Sequence, residues 1–317
     1  MSISKKVFQE LYNLGKNVPK INLSNDRIVN YKKQISGRDI NKNICEYQYF
    51  DHSIINQINY ERIKNYWNTY TLEVKTDIFL NTIESLNTKY KEKMIAYTIY
   101  SQNKTYSEAY KDSIIDLTNN IHYYLLKMND IYNNDRLLNY NIKHNPLNGF
   151  IGVCSSYNSN TNSNLLCLLP LLFGNTVLWN PHPNSILTNY LFYEILLENG
   201  LPRGLLNFIP MERQSFLEMI INNKNLGGLM YDYQTDYYKY SNIDYINKNN
   251  RNNLYNYNPK IISKSRGNNF HFIDESYCDN KSYFKKMITD TFNSAFSFSG
   301  QNSNSCCRIY LPFEYFN

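Results

Sequence analysis

This sequence has no long apolar run, no metal-ligand spacing among its cysteines, and only 11 glycines in 317 residues. A membrane-spanning helix needs a window of about eighteen apolar residues, so no membrane span is expected. The cysteines number six, and their spacing indicates a reducing compartment and no metal site. The adjacent Cys306 and Cys307 would point to opposite sides of a strand, which makes them a poor chelate.

The charge and composition favour an ordinary solvated surface. The net charge of +6 is spread along the chain and does not form a stripe, which argues against a nucleic-acid-binding protein. The chain contains 31 tyrosines and is rich in Asn, Lys and Ile, as a coding bias towards AT-rich codons would produce. Asn and Tyr are therefore discounted as functional signals unless their position adds something.

Residues 51–142 have the apolar spacing of helices. Asp51 can cap the first run, whose apolar residues share one buried face. Further helical runs are predicted over residues 72–86, 91–100 and 107–128. Residues 101–105 are the predicted linker between the last two runs.

After residue 149 the period changes, and strands alternate with helices. Strands are predicted over residues 150–154, 176–179, 205–209 and 226–230, with helices between them. This alternation predicts βαβ units and a parallel sheet with helices on both faces. A strand over 269–273, a helix over 282–298 and a strand over 307–311 follow, and they predict a second α/β domain that starts near residue 262.

A set of short motifs gives the chain a family resemblance. They are Gln102-Asn103-Lys104-Thr105, Gly174-Asn175-Thr176-Val177-Leu178-Trp179, Phe208-Ile209-Pro210, Asn269-Phe270-His271-Phe272 and Gly300-Gln301 with Arg308. In this order and spacing they resemble the aldehyde dehydrogenase superfamily, and within it the 1-pyrroline-5-carboxylate dehydrogenase branch. The resemblance implies an N-terminal extension (1–44), a helical segment with a Rossmann-like dinucleotide-binding domain (45–261) and the beginning of a catalytic domain (262–317).

The resemblance also implies that the catalytic positions are substituted. Ser303 stands where the family has its nucleophilic cysteine, and a serine needs a strong base beside it to act as a nucleophile. Lys264 stands at the general-base glutamate and is a poor base for activating water, because a lysine is protonated at neutral pH. A Ser–Lys pair would require a deeply desolvated Lys264. Cys306 aligns with a second, non-catalytic cysteine of the family, and packing is its expected role.

The cofactor positions depart from the family pattern in the same way. The resemblance assigns Ser155 and Asn158 to the segment whose asparagine helps to hold the developing oxyanion, and Asn158 is retained. Asn180 replaces the lysine that bonds the adenosine ribose. Tyr233 and Gln234 belong to the stretch from Tyr231 that occupies the start of the pyrophosphate helix, where the family has glycine so that backbone N–H groups can approach phosphate. Asp232 adds a like charge there.

The inherited activity implied by the resemblance is the NAD-dependent oxidation of glutamate semialdehyde to glutamate. In intact relatives a thiolate adds to the aldehyde, hydride passes to NAD, and a Glu-activated water releases the acid. Because the nucleophile and base are replaced, this copy is predicted to be inactive and to serve as a binding or assembly partner. The alternative is an active aldehyde oxidoreductase with a displaced nucleophile, Ser303 or Cys306.

Partners and location follow from the same resemblance. The expected partner is an aldehyde dehydrogenase-like chain in a homo- or hetero-oligomer, with a small aldehyde as ligand if the chain is active. Family members continue well past residue 311, so we expect either a fragment or a second chain that supplies the remainder. The first 33 residues suit a degenerate mitochondrial leader or an ordinary extension, which leaves the mitochondrial matrix and the cytoplasm open.

Overall fold

The computed structural model describes residues 4–23, 30–35, 43–133, 145–233, 236–265, 267–276 and 281–313. The α-helices within these ranges are α1 (Lys5–Lys16), α2 (Tyr60–Trp67), α3 (Leu72–Asn87), α4 (Lys91–Gln102), α5 (Tyr106–Tyr110), α6 (Leu117–Tyr132), α7 (Asn160–Leu172), α8 (Ile186–Glu198), α9 (Arg213–Ile221), α10 (Asp236–Arg251) and α11 (Lys281–Phe296). The strands are β1 (Lys20–Ile21), β2 (Asn30–Ile35), β3 (Asn43–Tyr49), β4 (Phe150–Cys154), β5 (Thr176–Asn180), β6 (Leu206–Phe208), β7 (Leu226–Tyr233), β8 (Lys260–Ser265), β9 (Asn269–Phe272) and β10 (Cys306–Tyr310).

The chain divides into two compact units, residues 1–264 and residues 265–317. The predicted three-part division of the chain stays a prediction. The α/β class is confirmed: the first unit contains a five-stranded sheet in the order β6-β5-β4-β7-β8. The pairs β4–β5, β4–β7 and β5–β6 are parallel.

The central sheet is covered on both faces. Every residue of β4 and of β5 is buried, and because successive side chains point to opposite faces, both faces must be packed. The two buried tryptophans also bond their ring N–H groups inside the core: Trp67 Nε1 donates to the Leu171 carbonyl at 2.9 Å and Trp179 Nε1 to Ser155 Oγ at 3.0 Å. Such bonds let a large aromatic ring be buried without an unsatisfied donor.

The N-terminal residues join the first unit. Strand β3 pairs in parallel with β1 and antiparallel with β2 to form a three-stranded sheet. Helix α1 buries Val7 and Leu14, and the Tyr100 hydroxyl donates to the Leu14 carbonyl at 3.2 Å. The start of the chain thus packs against α4.

Two predicted boundaries in the helical segment were wrong. Asp51 does act as a cap, but it caps a short 3₁₀ helix (His52–Gln57), and α2 begins separately with Asn59 as its cap. Residues 101 and 102, predicted as linker, belong to α4, which ends at a left-handed Asn103. Polar residues there were mistaken for a loop, although Gln102 is buried and bonds within the core.

The second unit is thin. Strands β9 and β10 form a two-stranded parallel sheet, and α11 contacts β10. Helix α11 ends at Phe296, and the predicted helical residues 297 and 298 continue as a short 3₁₀ turn, Ser297–Gly300. Within that turn Phe298, Ser299 and Gly300 have positive φ values of 51°, 53° and 71°.

Candidate functional site

The strand order of the large sheet indicates where a ligand crevice is expected, at the carboxyl edge. The chain runs outwards through β4, β5 and β6 and then returns to the other side of β4 with β7. Ligands of open α/β sheets bind outside the carboxyl ends of the strands, at the point where the strand order reverses. Here that point lies between β4 and β7, where Cys154 pairs with Tyr231.

Ser155 follows β4 directly and is fully buried. Its N–H donates to the Asn180 carbonyl at 3.3 Å, and its hydroxyl accepts from Trp179 Nε1 at 3.0 Å. Its carbonyl accepts a short hydrogen bond from Arg213 Nη2. The Ser155 backbone and hydroxyl are therefore engaged inside the protein.

Asn158, the predicted oxyanion residue, lies at the same edge and is 5% exposed. Its carbonyl accepts from Lys104 Nζ at 3.0 Å. The Ser156 hydroxyl oxygen lies 2.7 Å from Asn158 Oδ1 and 2.7 Å from Asp232 Oδ2. Residues from the loop after β4 and from the end of β7 thus meet across the crevice.

A buried ion pair anchors the loop after β4. Lys104 Nζ lies 2.6 Å from Asp112 Oδ2, with side-chain exposures of 2% and 16%. The Asp112 carboxylate accepts the N–H groups of Asn160 at 2.7 Å and Thr161 at 3.2 Å, and the Ser159 hydroxyl at 2.7 Å. It therefore occupies the N-terminus of α7, a position that attracts anions.

The environment of Asp112 favours its charged form. Burial alone would raise its pKa, but the Lys104 charge, helped by hydrogen bonds from Lys104, the Asn160 N–H and the Ser159 hydroxyl, leaves the pKa of Asp112 below its ordinary value. The sequence motif contained Lys104, but nothing in the sequence singled out Asp112, which sits in a predicted helical run.

Asn180, which the sequence analysis predicts to stand at the position of the family's ribose-binding lysine, points into the protein. It is 1% exposed, and its Nδ2 donates to the carbonyls of Ile209 at 3.1 Å and Met211 at 2.9 Å. Both donor hydrogens of the amide are accounted for by these bonds. The side chain thus secures the connection after β6.

A second cluster at this edge was missed from the sequence. The rings of Tyr157 and His182 lie 4.9 Å apart, and His182 Nδ1 accepts from the Asn184 N–H at 3.1 Å. Burial, followed by the nearby charge of Arg213, lowers the pKa of His182 to about 3. His182 is thus a neutral ring at physiological pH. The only sequence signal was its place two residues after β5.

The stretch predicted to start the phosphate-binding helix is mostly strand. Tyr231, Asp232 and Tyr233 are the last residues of β7, which was predicted to end at Met230, and α10 begins at Asp236. Tyr231 is fully buried; burial raises its pKa, against a hydrogen bond with Ser263 that lowers it. Its packing in the sheet explains the longer strand. Gln234 and the Tyr233 side chain lie outside the described residues, so their predicted roles stay predictions.

Lys264 lies on β8 at the end of the first unit, and its side chain is exposed. A Ser–Lys pair depends on a desolvated lysine, and the exposure of Lys264 does not supply that condition.

Ser303 lies in the second unit, in the turn between the 3₁₀ segment and β10. Asn269 Nδ2 donates to the Ser303 carbonyl at 2.8 Å and to the Ser305 carbonyl at 3.3 Å. His271, the single histidine in the sequence of this unit, has Nδ1 3.0 Å from Thr291 Oγ1. The Nδ1 nitrogen of this ring is therefore engaged with Thr291.

Cys306 and Cys307 face opposite ways at the start of β10. Cys306 is buried and its Sγ lies 3.2 Å from the Arg308 carbonyl, whereas Cys307 is exposed. This arrangement suits packing for Cys306.

Within the described ranges, no group of three or more His, Cys, Asp or Glu side chains could hold a metal ion. Among the described helices, none combines the length and apolarity of a membrane span.

Comparison with known proteins adds the family. The sequence pattern of the "Aldehyde dehydrogenase family" matches residues 59–316. The chain is similar to the mitochondrial delta-1-pyrroline-5-carboxylate dehydrogenase of Dictyostelium discoideum, with 30% identity over 258 residues that cover 78% of this chain and 44% of that protein. The human mitochondrial protein of the same name is 24% identical over 285 residues, covering 88% of this chain and 49% of the human one.

Solved structures agree on the fold. The delta-pyrroline-5-carboxylate dehydrogenase of Mycobacterium tuberculosis bound with NAD superposes with a TM-score of 0.87 at 18% identity, covering 99% of this chain and 60% of that one. The chain spans about half the length of the curated relatives it matches, 44% and 49% of the two named above. A match over residues 59–316 is most of the chain, and it shows that this protein belongs to the aldehyde dehydrogenase family.

Proposed function

We propose that this chain is a catalytically silent aldehyde dehydrogenase scaffold that acts by binding or assembling with another protein. Its inherited reaction would be the NAD-dependent oxidation of L-glutamate 5-semialdehyde, as the names of its relatives suggest. The observation that carries the proposal is the pair of substitutions at the reacting positions: Ser303 for the nucleophile and Lys264 for the base.

The surroundings of Ser303 support the loss of the first step. A serine hydroxyl needs an adjacent base to attack a carbonyl. Within the second unit, the described contact of the His271 ring is with Thr291, whose Oγ1 lies 3.0 Å from Nδ1. Asn269 fixes the Ser303 carbonyl, which stabilises the turn without activating the hydroxyl.

The remaining candidate nucleophile is no better placed. The thiol of Cys306 is buried against the backbone of its own strand, and a reactive cysteine is normally exposed and close to positive charge. An exposed, solvated Lys264 cannot act as the carboxylate base that releases an acyl-enzyme.

Weak NAD binding is also part of the proposal. A ribose-bonding lysine is replaced by Asn180, whose amide is bonded to Ile209 and Met211. The carboxylate of Asp232 stands at the crevice between β4 and β7, where it would repel a pyrophosphate. The pattern therefore favours a crevice that has lost its cofactor.

The exposed faces of the second unit support an assembly role. Phe272, Phe292, Phe296 and Phe313 are 72%, 60%, 63% and 92% exposed. Large exposed apolar surfaces mark protein interaction sites, and a two-stranded sheet is marginal unless something packs on it. We therefore propose an aldehyde dehydrogenase-like chain as the partner, identical or different. A mitochondrial location is suggested by the relatives' names, with the cytoplasm as the alternative.

Turnover is the direct test. Purified protein is incubated with NAD and pyrroline-5-carboxylate, and NADH is followed by absorbance, with the Dictyostelium discoideum relative as positive control. We expect no NADH above a blank. Reproducible turnover would overturn the proposal, and its loss in Cys306→Ser or in Ser303→Ala would then identify the displaced nucleophile.

Assembly is tested separately on the full chain. Cross-linking in the native source, followed by mass spectrometry, should return cross-links between an aldehyde dehydrogenase-like chain and residues 269–313. Phe272→Asp should remove these cross-links, and Leu126→Asp, at an exposed leucine of α6, should not. A monomer without cross-links at residues 269–313 would contradict the partner proposal.

A further inference from the structure

A cavity of about 560 Å³ lies beside β6, at one edge of the five-stranded sheet. It is lined by residues of β6, of α8 and of the segment around the first 3₁₀ helix, and among its described lining residues none belongs to β4, β7 or the second unit. Strand β5 separates it from the crevice expected between β4 and β7. Its volume falls in the range of small-molecule sites, about 300–1,000 Å³.

Helix α8 supplies one side of this cavity because of its residue spacing. Four of its residues line the cavity, and they follow the i, i+3, i+4, i+7 spacing of one helix face: Tyr190, Tyr193, Glu194 and Leu197. Other residues of α8 are buried, among them Leu191, Phe192, Ile195 and Leu196. The helix therefore packs on the core with one face and lines the cavity with another.

Three aromatic rings in mutual contact line the cavity. The ring centroid of Phe208 lies 5.6 Å from that of Tyr190 and 5.6 Å from that of Tyr193, and the two tyrosine centroids are 6.0 Å apart. Phe208 is 5% exposed and packs edge-on against the buried Trp179, with centroids 5.2 Å apart. Rings fixed in this way can receive a further aromatic ring with little loss of side-chain freedom.

Two opposite charges act on these rings without pairing with each other. The side chains of Glu194 and Arg203 line the cavity and are exposed. Burial raises the pKa of Tyr190, Glu194 raises it further and Arg203 lowers it. Burial also raises the pKa of Tyr193, Arg203 lowers it and Glu194 raises it. Within the described ranges, neither Glu194 nor Arg203 takes part in a salt bridge. A cation and an anion thus flank the same two hydroxyl groups and stay apart.

The other charged side chains that line the cavity already have partners. Both carboxylate oxygens of Glu198 are bonded, Oε1 to Lys89 Nζ and Oε2 to the Tyr90 hydroxyl. The ammonium of Lys93 lies 5.4 Å from the centroid of the Tyr97 ring, within the range of a cation–π contact. The unpaired guanidinium and carboxylate described above are therefore the charges that a ligand would meet.

We propose that this cavity is a binding site for a small aromatic zwitterion, the chemical class of an aromatic α-amino acid. The Arg203 guanidinium is a planar fork of N–H donors that matches a carboxylate, and it binds the ligand's carboxylate. Glu194 binds the ligand's ammonium group. The ligand ring packs against Tyr190, Tyr193 and Phe208.

The same lining disfavours related molecules. An aromatic acid without an ammonium group leaves Glu194 unpaired and brings a second negative charge close to it. An aromatic amine without a carboxylate leaves Arg203 unpaired in the same way. An aliphatic amino acid satisfies both charges but offers no ring to the aromatic lining.

Isothermal titration calorimetry of the full, unsubstituted chain near neutral pH tests the ligand class, with L-phenylalanine as the probe. We expect saturable binding of L-phenylalanine. Phenylpropanoate, which lacks the ammonium, and phenylethylamine, which lacks the carboxylate, should each bind at least about tenfold more weakly. L-Alanine, which lacks the ring, should not reach saturation. The absence of saturable L-phenylalanine binding, or equal binding of either aromatic analogue, would overturn the proposal.

Substituted proteins test the location of the site. Arg203→Met should bind L-phenylalanine about tenfold more weakly and phenylethylamine at least as well as before. Glu194→Gln should also weaken L-phenylalanine, but it should bind phenylpropanoate at least as well as before. The matched controls are Arg251→Met and Glu84→Gln, at exposed side chains that do not line the cavity, and they should leave all affinities unchanged.

Unchanged L-phenylalanine binding in both Arg203→Met and Glu194→Gln would refute this site. Turnover of NAD does not enter these measurements, so this proposal and the proposed loss of catalysis fail separately.

Discussion

The two sheets with parallel strands differ in how much of each strand is buried. In the sheet of the first unit, β4 and β5 are buried along their whole length. In the second unit β10 buries only its first residue, and Phe272 of β9 is 72% exposed. Parallel strands are normally buried on both faces. The strands β4 and β5 of the first unit meet this condition, and the strands β9 and β10 of the second unit do not.

The loops at the two candidate sites differ in the same way. The loop after β4 is held by Arg213, Trp179 and Lys104, all from the first unit. The turn that carries Ser303 is held by the Asn269 amide and by bonds within the turn, such as that from Asn302 Nδ2 to the Ser297 carbonyl at 3.4 Å. The loop after β4 therefore has more hydrogen bonds to other elements of its own unit than the turn that carries Ser303.

Identical substitutions in the two units should show this contrast most clearly. Phe192→Ala empties a fully buried position and should lower the free energy of unfolding by about 3–5 kcal/mol. Phe292→Ala, on the exposed side of α11, should change it by less than about 0.5 kcal/mol. Urea unfolding of the full chain measures both. Equal losses would show that α11 is covered in the isolated chain.

The buried ion pair offers a comparison within the first unit. Lys104→Met leaves the Asp112 carboxylate buried without its cation, and we expect a loss of about 3–5 kcal/mol in the free energy of unfolding. The exposed pair Lys111–Asp116, with side-chain exposures of 69% and 36%, is the matched control. Lys111→Met should cost less than about 1 kcal/mol. If the Lys104→Met protein is as stable as the Lys111→Met control, the Lys104–Asp112 pair does not stabilise the start of α7.

His182 should make the first unit sensitive to acid. Its pKa is lowered from 6.5 to about 3 in the folded protein. As the pH falls, His182 is therefore protonated in the unfolded chain before it is protonated in the folded one. The free energy of unfolding should therefore be unaffected above pH 6.5 and fall between about 6.5 and 3, by up to about 1.4 kcal/mol per pH unit.

His182→Asn keeps an acceptor for the Asn184 N–H and should flatten this part of the pH profile. His122→Asn, at an exposed ring of α6, should leave the slope unchanged. Urea titrations at pH 7, 5 and 4 would measure both. Parallel profiles for the unsubstituted and His182→Asn proteins would contradict the role of burial.

The smallest effect is expected in the turn before Ser303. Ser299 is exposed and left-handed, with φ 53° and ψ 35°, a conformation that disfavours residues with a Cβ atom. Ser299→Gly should raise the local opening free energy of residues 297–310 by about 1 kcal/mol, measured by hydrogen exchange. Ser297→Gly, where φ is not positive, should lower it. A loss of protection in Ser299→Gly would show that the hydroxyl has a contact that matters more than the backbone.

Much of the fold was readable from the sequence because it depends on local pattern. The strands at 150–154 and 176–180 are short apolar runs bounded by turn residues, and α8 ends at Glu198, shortly before Gly200 and Pro202. The family motifs were readable for the same reason, since each is a contiguous segment. The end of β7 was not readable, because Tyr231 and Tyr233 have no local signal that separates a long strand from a helix start.

The sequence by itself determined the α/β class and the family, and it predicts Ser303 at the nucleophile position. Contacts between distant segments were decided only in the tertiary structure: Asp112 at the start of α7, Arg213 against Ser155, and Asp232 facing Ser156 across the reversal of strand order. The physical reason is that hydrogen bonds and ion pairs depend on positions within about 3 Å. Residues 48, 58 and 76 apart in the chain reach such positions only after the sheet has formed.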